Sequence, residues 1–105
     1  MATTEKDIIK EYPKTKEIAD LIVGLGNKLK VDPMYLARTM NAETGGTFSP
    51  SKRNTAGSGA TGLIQFTKET ARNLGTTTQA LSKMSAREQM SFVERYFSSI
   101  GAGNL

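Results

Sequence analysis

The side chains in this sequence that could do acid–base chemistry are carboxylates, lysines and tyrosines, because its 105 residues include no His and no Cys. These absences exclude a Ser-His-Asp triad, a cysteine nucleophile and a zinc site built from His or Cys, and we expect neither a metal nor a cofactor. Between Asp32 and Glu69, the only acidic residue is Glu43. Glu43 is therefore the first candidate for a catalytic carboxylate.

Glu43 falls at the end of a predicted helix, on a face that it shares with apolar residues. Leu36, Met40 and Glu43 follow one another at steps of four and three residues, so the carboxylate continues an apolar stripe. Its position in the last turn also brings it next to unpaired carbonyls at the negative end of the helix dipole. Partial burial and the dipole both disfavour the ionised form, which suits a general acid. The alternative is a partly exposed glutamate at a helix end with no catalytic role.

The isolation of Glu43 bears on the type of reaction. Glycosidases normally use two carboxylates, one as the acid and the other as nucleophile or base. No second acid flanks Glu43 in the sequence, although a tertiary contact with Asp20, Glu69 or Glu94 stays open. A mechanism with one carboxylate requires the substrate to supply the second group, for example an N-acetyl oxygen that stabilises the oxocarbenium-like centre.

The elements around Glu43 are predicted to be helices packed into one compact, mainly α domain over residues 1–105. Asp32-Pro33 is a strong start for the helix that carries Glu43, and Gly45-Gly46 is a typical stop. Residues 1–14 are polar and are predicted to be an N-terminal extension with a short helical turn that docks on the body. The predicted helices span residues 15–29, 33–43, 68–74 and 86–100.

Residues 47–61 differ in kind from the helical segments. They contain Pro50, Gly57 and Gly59 among Ser, Thr and Asn, which predicts a long loop or a small β-hairpin. A long loop inside a compact domain is more often functional than idle. The sequence therefore places a Gly-rich loop between the helix that carries Glu43 and the next helix.

Three segments in this order resemble the lysozyme-like lytic transglycosylase domain, and more narrowly the versions that bacteriophages carry. They are Glu43-Thr44, Phe48-Ser49-Pro50, and the run from Ala56 that ends in Gly62-Leu63-Ile64-Gln65. The family's first motif is a catalytic Glu, usually followed by Ser, at the end of a helix. Its second motif is Gly-Leu-Met-Gln after a small, Gly-rich segment. The resemblance covers residues 15–100 and implies an α+β lysozyme-like fold, as in soluble lytic transglycosylases and goose-type lysozymes.

The resemblance implies a peptidoglycan substrate, with glycan strands of alternating N-acetylglucosamine and N-acetylmuramic acid. Glu43 would protonate the glycosidic oxygen between muramic acid and glucosamine, and the N-acetyl group would assist its departure. The ionised Glu43 would then take the proton of the muramic acid 6-hydroxyl, which attacks C1 and leaves a 1,6-anhydro end without water.

The resemblance also implies residues that bind the sugars. Gln65 matches the last position of the second motif and is expected to hydrogen-bond sugar, with the alternative that it closes a turn. Phe48 matches an aromatic or bulky position that either lines a sugar subsite or packs in the core. Gly59, Ala60 and Thr61 would let the backbone approach the N-acetyl amides, unless they only form a turn. The implied substrate-binding residues are Thr44, Phe48, Asn54, Gly59, Ala60, Thr61 and Gln65.

The sequence departs from the family pattern at two places. Thr44 replaces the usual Ser, which keeps the hydroxyl and adds a methyl group. The third family motif, Ala-Tyr-Asn, is absent, and Tyr96 matches a tyrosine in the helix before that motif rather than the motif itself. We expect either a chain truncated at its C-terminus, as a piece of a longer parent chain, or another group that completes the site.

The net charge of +4 indicates either a lysine-rich surface or affinity for a polyanion.

No signal peptide or membrane span is visible, so we expect no membrane insertion. The basic residues are spread without a dense cluster or aromatic platform, which argues against nucleic-acid binding. We expect a phage virion or host envelope (periplasm) location, where other virion proteins are candidate partners. The alternatives are a muramidase that admits water and a non-catalytic wall-binding or virion structural module.

Overall fold

Six α-helices and one 3₁₀ turn form the regular structure of a computed structural model that describes residues 2–54 and 57–101. In chain order these are α1 (Glu5–Glu11), the 3₁₀ turn (Pro13–Thr15), α2 (Ala19–Leu29), α3 (Pro33–Glu43), α4 (Lys68–Asn73), α5 (Thr78–Ser82) and α6 (Ala86–Ser99). The described ranges contain no strand, and their β-pairing is limited to two isolated antiparallel bridges, Arg53 with Thr61 and Thr61 with Phe66. The prediction of a mainly α fold is confirmed.

Polar side chains cap the helices at several predicted starts. The Asp32 carboxylate accepts hydrogen bonds from the Thr3 hydroxyl at 2.6 Å and from the Met34 backbone N–H at 2.9 Å. These two hydrogen bonds hold the pKa of Asp32 below its usual range, and the bond from Thr3 has the larger effect. At the start of α6, Ser85 and Glu88 form a capping box. Local chemistry therefore determines where α3 and α6 begin.

Two predicted boundaries are wrong. The helix predicted from Thr15 begins at Ala19, because Thr15 lies buried in the 3₁₀ turn and its hydroxyl donates to the Tyr12 carbonyl at 2.6 Å. The segment between the predicted helices 68–74 and 86–100 contains a further helix, α5, whose start is capped by the Thr77 hydroxyl accepting from the Ala80 N–H at 3.0 Å. A helix of five residues is too short to show a hydrophobic period, so the sequence pattern did not reveal it.

Residues 2–14 contribute to the core and are more than a polar extension. A capping box between Thr4 and Asp7 begins α1, and Ile8 in the middle of this helix is fully buried. The Tyr12 ring lies 5.5 Å from the Phe48 ring, centroid to centroid. The predicted helical turn that docks on the body is confirmed, and its apolar residues form part of the same packed unit as the Gly-rich loop.

The core surrounds α2, which contacts α1, α3 and α6. Two residues of the Gly-rich loop region, Leu63 and Phe66, are buried in the same cluster as the helices. Their burial anchors the end of the loop in the core, so we infer that the loop keeps a defined position relative to α3. The large core residues with almost no exposed surface are Ile8, Ile18, Ile22, Leu36, Met40, Leu63, Phe66, Leu81 and Val93.

Gly24 and Gly26 of α2 offer a matched pair of tests, because they differ in what surrounds them. A Cβ added at Gly26 would lie 2.9 Å from the Pro33 Cα, whereas one at Gly24 would have nothing within 4 Å. We expect Gly26→Ala to lower the free energy of unfolding by about 1–3 kcal/mol, because α2 and α3 must separate. Gly24→Ala should raise it by about 0.5–1 kcal/mol, because alanine is the better helix former. Urea denaturation of both variants measures these changes. If the free energy of unfolding changed in the same direction in both variants, this would contradict the close packing of Gly26 against Pro33.

None of the helices in the described ranges is long and apolar enough to span a lipid bilayer. The longest, α6, has 14 residues. At 1.5 Å per residue it is about 21 Å long, which is less than the roughly 30 Å of a hydrocarbon core.

Candidate active site

Glu43 is the last residue of α3, and its side chain is exposed. The expectation of a partly buried carboxylate is wrong, because the buried stripe of α3 runs through Ala37 and Met40 to Thr44 instead. No hydrogen bond or ion pair to another described residue engages the Glu43 carboxylate. The predicted acid is therefore accessible and unpaired, at the negative end of a helix.

Thr44 connects the end of α3 to the following loop. It is fully buried, and its hydroxyl donates to the Met40 carbonyl at 2.7 Å and accepts from the Phe48 N–H at 2.9 Å. Gly45 and Gly46 take positive φ between these contacts, as predicted for the stop of the helix. A buried hydroxyl with both bonds inside the protein does not reach a substrate, so we assign Thr44 to positioning the backbone next to Glu43.

Phe48 packs in the core, as one of its two predicted interpretations states. It is buried, takes a φ of 51°, and its ring stacks at a tilt against Tyr12. One edge of Phe48 contributes to a cleft of about 270 Å³. The residues that line this cleft are Glu11, Tyr12, Pro13, Lys14, Asn41, Gly46 and Phe48.

The Gly-rich segment at Gly59, Ala60 and Thr61 is buried and bonded within the loop. Thr61 exchanges two backbone hydrogen bonds with Phe66, at 2.9 and 2.8 Å, and its hydroxyl donates to the Gly59 carbonyl at 2.9 Å. The Ala60 carbonyl accepts from the backbone N–H of Asn54 at 2.8 Å, and the Asn54 side chain is exposed. The three residues expected to approach the glycan therefore form the framework of the loop, because these backbone groups already have protein partners.

Gln65 keeps one polar atom for a ligand. Its Nε2 donates to the carbonyls of Lys52 and Gly62, both at 2.9 Å, and its φ is 56°. The side chain is partly exposed, and no described residue donates to its Oε1. The amide closes a turn, as the alternative interpretation states, and its oxygen remains able to accept a hydrogen bond from a sugar hydroxyl.

Gln89 of α6 is a residue of the site region that the sequence did not reveal. It is fully buried; its Oε1 accepts from the Leu63 N–H at 2.7 Å, and its Nε2 donates to the carbonyls of Pro50 at 2.9 Å and Leu81 at 3.0 Å. A Cβ at Gly62 would lie 2.5 Å from the Gln89 Oε1, so the glycine makes room for this amide. The one signal was a glutamine four residues before Val93 on the apolar face of α6.

Asp20, Glu69 and Glu94 were the candidates for a second catalytic carboxylate, and two of them form ion pairs with basic residues. Asp20 accepts from Arg87 at 3.0 Å, and this hydrogen bond lowers the pKa of Asp20. Glu94 pairs with Lys28 at 2.7 Å, so both bridges connect α2 to α6. Glu69 is exposed on α4. Among residues 2–54 and 57–101, no group of three or more acids is arranged to hold a metal ion.

No protein-family model, curated protein or solved structure matches the chain. The likeness to lytic transglycosylases therefore depends on the ordered motif residues around Glu43 and Gln65. Ala56, which opens the segment that ends in Gln65, lies outside the described residues.

Proposed function

We propose that this protein cleaves the glycan strands of peptidoglycan by lytic transglycosylation, at the bond between N-acetylmuramic acid and N-acetylglucosamine. The observation that carries the proposal is the exposed, unpaired Glu43 at the end of α3. Thr44 and Gln89 hold the loop that follows, which ends in Gly62-Leu63-Ile64-Gln65. An exposed acid at the end of a helix is accessible to a bound polymer and is able to exchange a proton with it.

In the proposed reaction Glu43 acts first as the acid and then as the base. It gives its proton to the glycosidic oxygen, while the N-acetyl oxygen of muramic acid bonds to C1 and forms an oxazolinium ion. The Glu43 carboxylate then takes the proton of the 6-hydroxyl, whose oxygen attacks C1 and releases the N-acetyl oxygen. The products are a glucosamine end and a 1,6-anhydromuramic acid end, and no water is consumed.

The muramidase alternative is supported by the exposure of Glu43. Water can reach an exposed carboxylate, and a water molecule that attacks C1 in place of the 6-hydroxyl would leave a reducing end. The two reactions use the same acid and differ only in the nucleophile.

The net charge of +4 supports attraction to an anionic cell wall. We propose that the protein acts at the host cell envelope, brought there by a phage virion, as the resemblance to phage domains suggests. A non-catalytic wall-binding or virion structural module is the remaining interpretation of the same features.

Mass spectrometry of digested peptidoglycan tests the proposal. Purified sacculi are incubated with the protein, and the soluble fragments are compared with those that a hydrolysing lysozyme releases. We expect muramic acid ends that are lighter by one water than the hydrolytic product. Reducing ends alone would replace the transglycosylase with the muramidase, and the absence of any soluble fragment would leave the non-catalytic module.

A further inference from the structure

A cleft of about 340 Å³ between the Gly-rich loop and the α4–α5 connection has a strongly basic lining. Three of its lining residues are cationic, and none is acidic. Hydroxyl and amide groups make up the rest. The lining residues are Arg53, Lys68, Arg72, Thr76, Thr77, Thr78 and Gln79.

The cations of this cleft come from two segments that are distant in sequence. Arg53 belongs to the Gly-rich loop, whereas Lys68 and Arg72 lie one turn apart on α4. A Cβ added at Gly59 would lie 3.6 Å from the Arg53 Nη2 and 3.6 Å from the Lys68 Cε, so both side chains approach the same glycine. The tertiary structure therefore assembles a concentration of positive charge that was not visible as a cluster in the sequence.

None of the three cations forms an ion pair with a described carboxylate. The ion pairs among the described residues are Lys28 with Glu94 and Arg87 with Asp20, and neither involves the cleft. Like charges that converge without a counterion repel one another, and a bound anion relieves that repulsion. Guanidinium groups also present paired N–H donors that match the two oxygens of a carboxylate.

We propose that this cleft binds the free carboxylates of the short peptides attached to the peptidoglycan strand. The inference rests on the proposed function, because it takes the polymer that Glu43 would cleave as the source of the anion. The cleft and Gln65 belong to the same loop region, joined by the bridges of Thr61 to Arg53 and to Phe66. A glycan that contacts Gln65 would thus carry its peptides close to the cations, and binding there would select peptide-bearing over peptide-free strands.

Arg72→Gln tests the cleft, and Arg38→Gln is the matched control, because both are exposed helical arginines with no ion pair to a described residue. The probes are a purified disaccharide–tetrapeptide from peptidoglycan and the same disaccharide after an amidase has removed the peptide. Binding is followed by the shifts of the backbone amide signals in ¹⁵N–¹H spectra. We expect Arg72→Gln to weaken binding of the peptide-bearing probe about tenfold, and Arg38→Gln to change it by less than about twofold.

Several outcomes would overturn the proposal. One is an equal loss of affinity for the peptide-bearing probe in both variants, and another is no binding of that probe at all. A third is that Arg72→Gln weakens binding of the peptide-free probe just as much. The last is that duplex DNA or inorganic phosphate binds more tightly than the peptide-bearing probe. The binding and cleavage readouts separate the two proposals. Selective binding without any cleavage would remove the proposed activity and leave the cleft assignment. Cleavage by the original protein, together with unchanged probe binding by Arg72→Gln, would leave the activity and remove the cleft assignment.

Discussion

Glu43→Gln should reduce the rate at which the protein clears a peptidoglycan suspension about a thousandfold, with little change in stability. Glutamine has nearly the same shape as glutamate but can neither donate the proton to the leaving oxygen nor take one from the 6-hydroxyl. Loss of a general acid–base group typically costs between about 10² and 10⁴ in rate. Because Glu43 is exposed and unpaired among the described residues, the free energy of unfolding should change by less than about 1 kcal/mol.

Glu69→Gln is the matched control for this substitution. Glu69 is also an exposed helical glutamate without an ion pair to a described residue, and its replacement removes the same charge. We expect its clearing rate to stay within about twofold of the original protein. Turbidity measurements on both variants, with thermal unfolding as the stability readout, make the comparison. Unchanged clearing by Glu43→Gln would remove Glu43 from the mechanism, and equal losses in both variants would assign the effect to charge.

Gln89→Leu should lower the free energy of unfolding by about 3 kcal/mol and also displace the Gly-rich loop. Leucine fills a similar volume but leaves the buried Leu63 N–H without an acceptor and removes the Gln89 donor from the Pro50 and Leu81 carbonyls. The Leu81 carbonyl keeps its bond from the Met84 N–H at 3.1 Å, so the main losses are at Leu63 and Pro50. A buried polar group that loses its partner costs about 1–3 kcal/mol. A total stability of roughly 5–15 kcal/mol is typical of a domain, so this loss is a large fraction of it.

Gln89→Glu separates the hydrogen bonds of this residue from its packing. An ionised carboxylate cannot donate to the two carbonyls and would be buried without a cation, whereas a protonated one can donate to one of them. Burial raises the pKa of such a glutamate above its unfolded value, so the destabilisation should be largest near pH 7 and decrease as the pH falls toward about 4. Urea denaturation at both pH values checks this, with Gln79→Leu, an exposed glutamine, as the control. A destabilisation by Gln89→Glu, relative to the original protein, that is equal at both pH values would contradict the buried amide.

The chemical core of the candidate site was predictable because it depends on residue types and local signals. The absence of His and Cys directs attention to carboxylates, and the isolation of Glu43 in sequence singles it out. Asp32 and the paired glycines after Glu43 place it at a helix end, which the structure confirms. The surroundings of Glu43 were not predictable in the same way. Periodicity can assign the buried face of a helix, but a residue of the last turn is buried only where another segment of the chain covers it. In this fold Thr44 is covered and Glu43 is not.

The roles of the loop residues also required the folded chain. The small residues of the loop were expected to let a ligand approach the backbone at Gly59, Ala60 and Thr61. Their backbone groups instead form hydrogen bonds within the loop and to Phe66. Whether a loop amide is available depends on which other segment reaches it, and this information is not local. Gln65 retains an accessible oxygen only because its amide nitrogen is held by Lys52 and Gly62.

The sequence alone determined the helical class, the capped starts of α3 and α6 and the position of Glu43 at a helix end, because these depend on residue type and on spacing within a few residues. The tertiary structure alone decided what lies around that acid. It exposes Glu43, buries Thr44 and brings Gln89 from α6 into contact with three backbone segments. It also gathers Arg53, Lys68 and Arg72 into one cleft. Such arrangements join residues that are far apart in the chain, so they follow from packing and not from local pattern.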